Sequence, residues 1–80
     1  MRVSVLFFAE LKEIFGAHRL IEIKNGSTVE DVSDLFTHES QEFFLKKPSL
    51  IYAVNENFET ADQELKDQDQ LAIMTPMSGG

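Results

Sequence analysis

The chain of 80 residues has no cysteine, only two prolines and four glycines, and half as many basic side chains as acidic ones. Each shortage removes a class of function. Without a thiol there is no disulfide framework, no thiolate nucleophile and no cysteine-ligated metal, so any sulfur the protein handles must be imported. Seven Lys and Arg against fourteen Asp and Glu give a formal charge of −7, and Lys46-Lys47 is the one adjacent basic pair. Binding to a phosphate backbone needs clustered cations, so no nucleic-acid partner is expected. The apolar N-terminal run turns acidic at Glu10 and is too short for a signal peptide or a membrane span, which predicts a cytoplasmic protein with no membrane partner. Asn25-Gly26-Ser27 has the form of a glycosylation acceptor but, without an export signal, reads as a turn.

Size restricts the chemistry further. A domain this short buries only about 60% of the surface its unfolded chain exposes. The 42% of residues that are hydrophobic are needed for the core, not for the walls of a ligand pocket. One small acidic domain is predicted, with its function on a surface or at a terminus.

Val3 to Phe8 is short and rich in β-branched and aromatic residues, which reads as a strand with Val3, Val5 and Phe7 on one face. The other face still carries Leu6 and Phe8, more apolar surface than solvent requires. Ala9 to Phe15 are mostly helix formers closed by Gly16. Arg19 to Ile23 return to period two, pairing with the first strand, and Asn25-Gly26 offers the positive φ of a tight turn. Ser27-Thr28-Val29-Glu30 has the form of a capping box, so a helix is predicted from there to about His38. Its core face is Val29, Val32, Leu35 and Phe36. Gln41 to Lys47 reads as another helical turn, stopped before Pro48. Leu50 to Val54 is a third strand, Asn55 to Asn57 a turn and Phe58 to Thr60 a short strand. Leu71 to Met74 is the last strand, with Leu71 and Ile73 toward the core, and Pro76 stops it.

Few residues could carry chemistry. His18 and His38 have no ligand-spaced partners. Asp67-Gln68-Asp69-Gln70 lacks the glycine and closing glutamate of a calcium loop. There is no nucleophile elbow and no phosphate-cradling glycine loop. The last five residues, Pro76-Met77-Ser78-Gly79-Gly80, are more informative. At roughly 3.3–3.6 Å per extended residue they carry a carboxylate about 15 Å beyond the last strand. Two glycines would let that tail thread a channel too narrow for side chains. The expected division is a folded domain over 1–75 and a flexible tail over 76–80.

Along its whole length the chain resembles the small subunits of molybdopterin synthase, the MoaD-type sulfur carriers. The likeness rests on Val5-Leu6-Phe7-Phe8-Ala9-Glu10-Leu11-Lys12-Glu13, on Tyr52-Ala53-Val54-Asn55, and on Leu65-Lys66-Asp67-Gln68-Asp69 leading to Pro76-Met77-Ser78-Gly79-Gly80. Gln68 stands where that family has glycine, Thr75 where it has proline and Met77 where it has valine. The resemblance implies an α+β, ubiquitin-like β-grasp fold, with a mixed sheet of four to five strands on one main helix. It implies that an E1-like, MoeB-type adenylating enzyme uses ATP and Mg to activate the Gly80 carboxylate. A sulfur donor then converts it to a thiocarboxylate, beside Gly79, and the tail delivers sulfur to a cyclic pterin phosphate in a MoaE-type large subunit. The chain would bind no cofactor or metal and would not be a catalyst alone. Phe8, Phe58 and Met74, with Pro76, Met77 and Ser78, would meet the partners. A thiamine-type sulfur carrier, a protein modifier conjugated through Gly80, and an interaction module with an inert tail remain as alternatives.

Overall fold

The first strand sets the frame. In the computed structural model, which describes residues 1–40 and 50–76, β1 (Arg2–Phe7) buries Val3, Val5 and Phe7 while Arg2, Ser4 and Leu6 face the other way. It is followed by α1 (Ala9–Phe15), β2 (His18–Glu22), α2 (Val29–Glu39), β3 (Ile51–Val54), β4 (Asn57–Glu59) and β5 (Gln70–Met74). The strands form one sheet in the order β2-β1-β5-β3-β4. β1 runs parallel to β5, with Val5 beside Leu71 and Phe7 beside Ile73, and the other neighbours are antiparallel. One face is the core, where Val3, Val5, Leu71 and Ile73 pack with Leu11, Val29 and Val32. At one end the rings of Phe7, Phe15 and Phe36 meet at centroid distances of 4.8 to 5.3 Å. Gly16, at φ 92°, closes α1 as expected and donates its N–H to the Lys12 carbonyl.

The start of α2 differs from the expected capping box. Thr28, not Ser27, is the N-cap, and Asp31, not Glu30, returns the bond: the Asp31 N–H donates to Thr28 Oγ1 and the Thr28 N–H to Asp31 Oδ2. Ser27 is occupied one step earlier. Its N–H closes the turn onto the Lys24 carbonyl and its own carbonyl accepts from Leu65. In that turn only Gly26, at φ 90°, is left-handed, whereas Asn25 is not. Leu35 also departs from expectation, being exposed while Ser33 is buried. The buried set Val29, Val32, Ser33 and Phe36 keeps i, i+3, i+4 and i+7 spacing, and Leu35 falls beside it. Ser33 is satisfied there because the Tyr52 hydroxyl donates to its Oγ at 2.9 Å. The helical turn expected over Gln41 to Lys47 lies outside the described residues.

The stretch from Ala61 to Gln70 reads as polar, yet Leu65 is 2% exposed. It is held by the Leu65 N–H to Ser27 carbonyl bond and by the Thr28–Glu64 bridge, which tie this stretch to the start of α2. Asp69 then organises the approach to β5, accepting from the Lys66 N–H and from Asn55 Nδ2. Gln68 sits at φ 72°, where an L side chain crowds the following carbonyl and glycine does not. The Asn55-Glu56 turn between β3 and β4 has both central residues left-handed, at φ 50° and 72°, as a two-residue hairpin turn requires.

Replacing Gln68→Gly is expected to raise the unfolding free energy by about 1 kcal/mol, read from the urea midpoint at unchanged slope. Asp67 gives a second expectation. Its carboxylate accepts the Arg2 backbone N–H at 2.8 Å, which holds it below the ordinary value of 3.8. The stabilisation is complete above the unfolded value and is lost as pH falls through the lower folded one. Asp67→Asn should therefore flatten the acid limb of the stability curve below about pH 4.

Candidate docking face and chain end

The face of the sheet turned away from α2 is unusually apolar. Register places one row of side chains across it: His18 on β2, Leu6 on β1, Ala72 on β5, Ala53 on β3 and Phe58 on β4. A second row, toward the end where β5 finishes, pairs Met74 with Ile51. Phe8 belongs with this row. Its backbone is still extended, at φ −129° and ψ 159°, so alternation continues past the buried Phe7 and leaves Phe8 48% exposed. Phe58, on an edge strand, is 76% exposed, the highest value among the described large apolar residues. The opposite end of the same face is polar, with an exposed Arg2–Glu22 ion pair at 3.0 Å that contributes little to stability.

Three expected site residues therefore share one surface. Phe8 and Met74 lie at the end where the chain leaves the sheet, and Phe58 lies across it on β4. Pro76 is exposed two residues beyond β5. Met77, Ser78, Gly79 and Gly80 lie outside the described residues. Ile51 belongs to the surface as well and escaped notice in the sequence. Its signal was the alternation in Ile51-Tyr52-Ala53-Val54, where Tyr52 and Val54 turn to the core and Ile51 must turn out. The packing contrast is testable by stability. Phe58→Ala should change the unfolding free energy by no more than about 0.5 kcal/mol. Phe7→Ala, which removes a ring from the aromatic cluster, should cost about 3–5 kcal/mol.

Little on this surface can perform a reaction. The groove of about 460 Å³ between β2 and α2 is lined by Met1, Glu22, Ile23, Lys24, Ser27, Asp31 and Leu35. It borders the start of β1, the far end of the sheet from Met74. Among the described residues no three His, Asp or Glu side chains are grouped to hold a metal ion, and no helix is long and apolar enough to cross a membrane. The face is suited to binding a protein surface, with aromatic and aliphatic anchors that a partner can desolvate.

A mixed sheet in this order packed on one main helix, with the last strand at its centre, defines a ubiquitin-like β-grasp domain. The Caldiarchaeum subterraneum ubiquitin superposes with a TM-score of 0.63 at 15% identity, covering 100% of this chain and 98% of that one. A Pyrococcus furiosus protein assigned as subunit 1 of a molybdopterin converting factor superposes with a TM-score of 0.82 at 24% identity, covering 96% and 99%. The chain of the Helicobacter pylori complex of molybdopterin-converting factor subunits 1 and 2 that it matches gives 0.68 at 24%, covering 100% of both.

Sequence comparison narrows the class. The ThiS family model matches residues 5–80, and the chain belongs to that family. The molybdopterin synthase sulfur carrier subunit of Chlamydomonas reinhardtii is 32% identical over 85 residues, covering 100% of both chains. Its counterpart in Arabidopsis thaliana is 33% identical over 88 residues, covering 100% of this chain and 84% of that one. Within the family the chain stands with the sulfur carrier subunits of molybdopterin synthase, which serve molybdenum cofactor biosynthesis.

Proposed function

We propose that the chain carries sulfur as a thiocarboxylate on Gly80 and presents it to a larger synthase subunit. The observation that supports this most directly is the position of β5. The central strand of the sheet runs out of the core at Ile73, passes Met74 on the apolar face and reaches the exposed Pro76. A partner seated on Phe8, Met74, Ile51 and Phe58 is then next to the emerging tail.

The chemistry follows from what the chain lacks. A carboxylate is a poor electrophile, so a separate E1-like adenylating enzyme, using ATP and Mg, converts the Gly80 carboxylate to an acyl-adenylate with loss of pyrophosphate. Sulfur from a donor displaces the adenylate and leaves the thiocarboxylate. Glycine at position 80 has no side chain to hinder attack at its carbonyl, and Gly79 allows close approach of the backbone. The tail, Pro76-Met77-Ser78-Gly79-Gly80, then enters the large subunit, where the thiocarboxylate sulfur attacks a cyclic pyranopterin monophosphate, and hydrolysis of the resulting thioester leaves the sulfur on the pterin and returns Gly80 as a carboxylate. Two deliveries make a dithiolene. An acidic domain repels a phosphate substrate, so the cationic groups that hold it belong to the large subunit. The Helicobacter pylori relative is seen in a complex with its subunit 2, which favours a partner of the same kind here.

Deleting Gly79-Gly80 should leave the thermal midpoint unchanged and abolish sulfur delivery. The decisive measurement is the intact mass after incubation with the cognate activating enzyme, ATP, Mg and a sulfur source. Replacement of one oxygen by sulfur at the terminus supports the carrier role, whereas lysine conjugates or an unchanged mass would overturn it. Phe58→Asp should weaken binding to both partners by about tenfold or more while leaving the fold intact.

A further inference from the structure

The sheet has two edges: β4, which carries Phe58, and β2, whose His18 ends the row across the proposed docking face. The β1–β2 ladder shows which of its backbone groups are committed. Ile23 and Met1 exchange N–H···O=C bonds, and the Phe7 N–H donates to the Ala17 carbonyl. With antiparallel alternation and the register Val3–Ile21 and Val5–Arg19, the amides and carbonyls of Arg19 and Ile21 turn toward β1. Those of His18, Leu20 and Glu22 turn outward, and among the described residues no backbone bond outside the ladder engages them. The same three residues carry the exposed side chains of β2, in the order histidine, leucine, glutamate, with Leu20 57% exposed.

That order is self-complementary. We propose that two copies of this chain associate through β2, antiparallel, about a twofold axis at Leu20. Leu20 then faces Leu20 of the second copy, and each His18 faces the other copy's Glu22, a ring N–H donor opposite a carboxylate. All three pairs fall on the hydrogen-bonded positions of the new ladder, each exchanging two backbone bonds, so the register that matches the side chains is also the one that satisfies the open edge. A slip by one residue loses both matches. On the helix side, Ile23 and Leu35 border the groove beside the same edge, together with the charged Lys24 and Asp31, which gives the second copy a mixed apolar and charged rim below the strand. The interface is isologous and closes at two chains, because β2 is consumed in both. It is smaller than a standard protein interface, so association is weak and reversible. Phe58 lies on β4, at the far edge of each sheet, and stays available to other partners.

Sedimentation equilibrium of the full chain from about 10 µM to about 1 mM tests this. The average mass should climb toward that of a dimer and no further. Leu20→Lys should raise the dissociation constant by about tenfold or more. His18→Glu, which sets glutamate against glutamate, should do the same, and the exchange His18→Glu with Glu22→His should restore association. A chain that stays monomeric throughout, variants that associate like the parent, or a dimer abolished by Phe58→Asp would each overturn the proposal. Amide hydrogen exchange on the unaltered chain gives a check that needs no variant. Leu20 and Glu22 should gain protection with concentration, and no gain would refute the pairing.

Discussion

The parallel pairing of β1 with β5 is the constraint on which the rest of the architecture depends. It joins residues as distant as Ser4 and Gln70, and it sets the inward-facing apolar side chains Val5, Phe7, Leu71 and Ile73 side by side at the centre of the sheet. A parallel pair cannot be closed by a tight turn, so the chain between the strands has to cross from one side of the pair to the other, adding β2 beyond β1, laying α2 over the sheet and adding β3 and β4 beyond β5. The long closure is entropically costly, and the burial of both strands against α2 is what offsets it. Because β1 and β5 point the same way, Phe8 after one and Met74 at the end of the other emerge at one end of the sheet. The apolar end of the face and the exit of the chain from β5 coincide for that reason.

The second tie is between segments that look unrelated along the chain. The stretch containing Leu65 contributes one buried leucine, and its backbone is bound to the turn that starts α2 through Leu65, Ser27, Thr28 and Glu64. This tie holds the main helix at its beginning, and the Tyr52–Ser33 hydrogen bond holds it at its middle. α2 is thereby pinned to the loop before β5 and to β3, which leaves the opposite face of the sheet without cover. An uncovered sheet face on a domain this small is ordinarily polar. Here it carries Leu6, Phe8, Ile51, Phe58 and Met74, and that departure is the strongest physical sign of a protein partner.

Much of this was legible in the amino-acid order, and the failures have identifiable causes. Period-two alternation in Val3 to Phe8 and in Leu71 to Met74 assigned both central strands and their inward faces correctly, because a strand buried on one side leaves little freedom of phase. Gly16 marked the end of α1 for an equally local reason. The cap of α2 falls one residue later than expected since Ser27-Glu30 and Thr28-Asp31 have the same spacing, and long-range bonds distinguish them: the Glu30 N–H, which a Ser27 cap would use, donates to the Ala61 carbonyl, and the Ser27 carbonyl accepts from Leu65. Leu35 was assigned to the core because residues six and seven apart both lie near one helix face. Ser33 took that place only because Tyr52, distant in sequence, supplies a hydrogen bond. Leu65 was hidden by the polar residues around it. Alternation alone sets Phe8 on the outward face, Phe58 and Met74 rest on family resemblance, and the sheet register gathers all three on one surface. Gly79 and Gly80 rest on the sequence and its relatives.

The proposed division between a folded body and a reactive end accords with the chain's size. The core takes the inward apolar residues of the described elements, and of those left exposed Phe8, Leu20, Ile51 and Phe58 lie on one sheet face while Ile14 and Leu35 lie on the helices. The acidic surface argues in the same direction, since anionic substrates are disfavoured near it while cationic rims on partner proteins are favoured. A domain so constituted can supply one reacting group at the end of a narrow tether and leave the pocket, the cations and the acid–base groups to others. The two glycines are the least bulky residues with which such a tether can end.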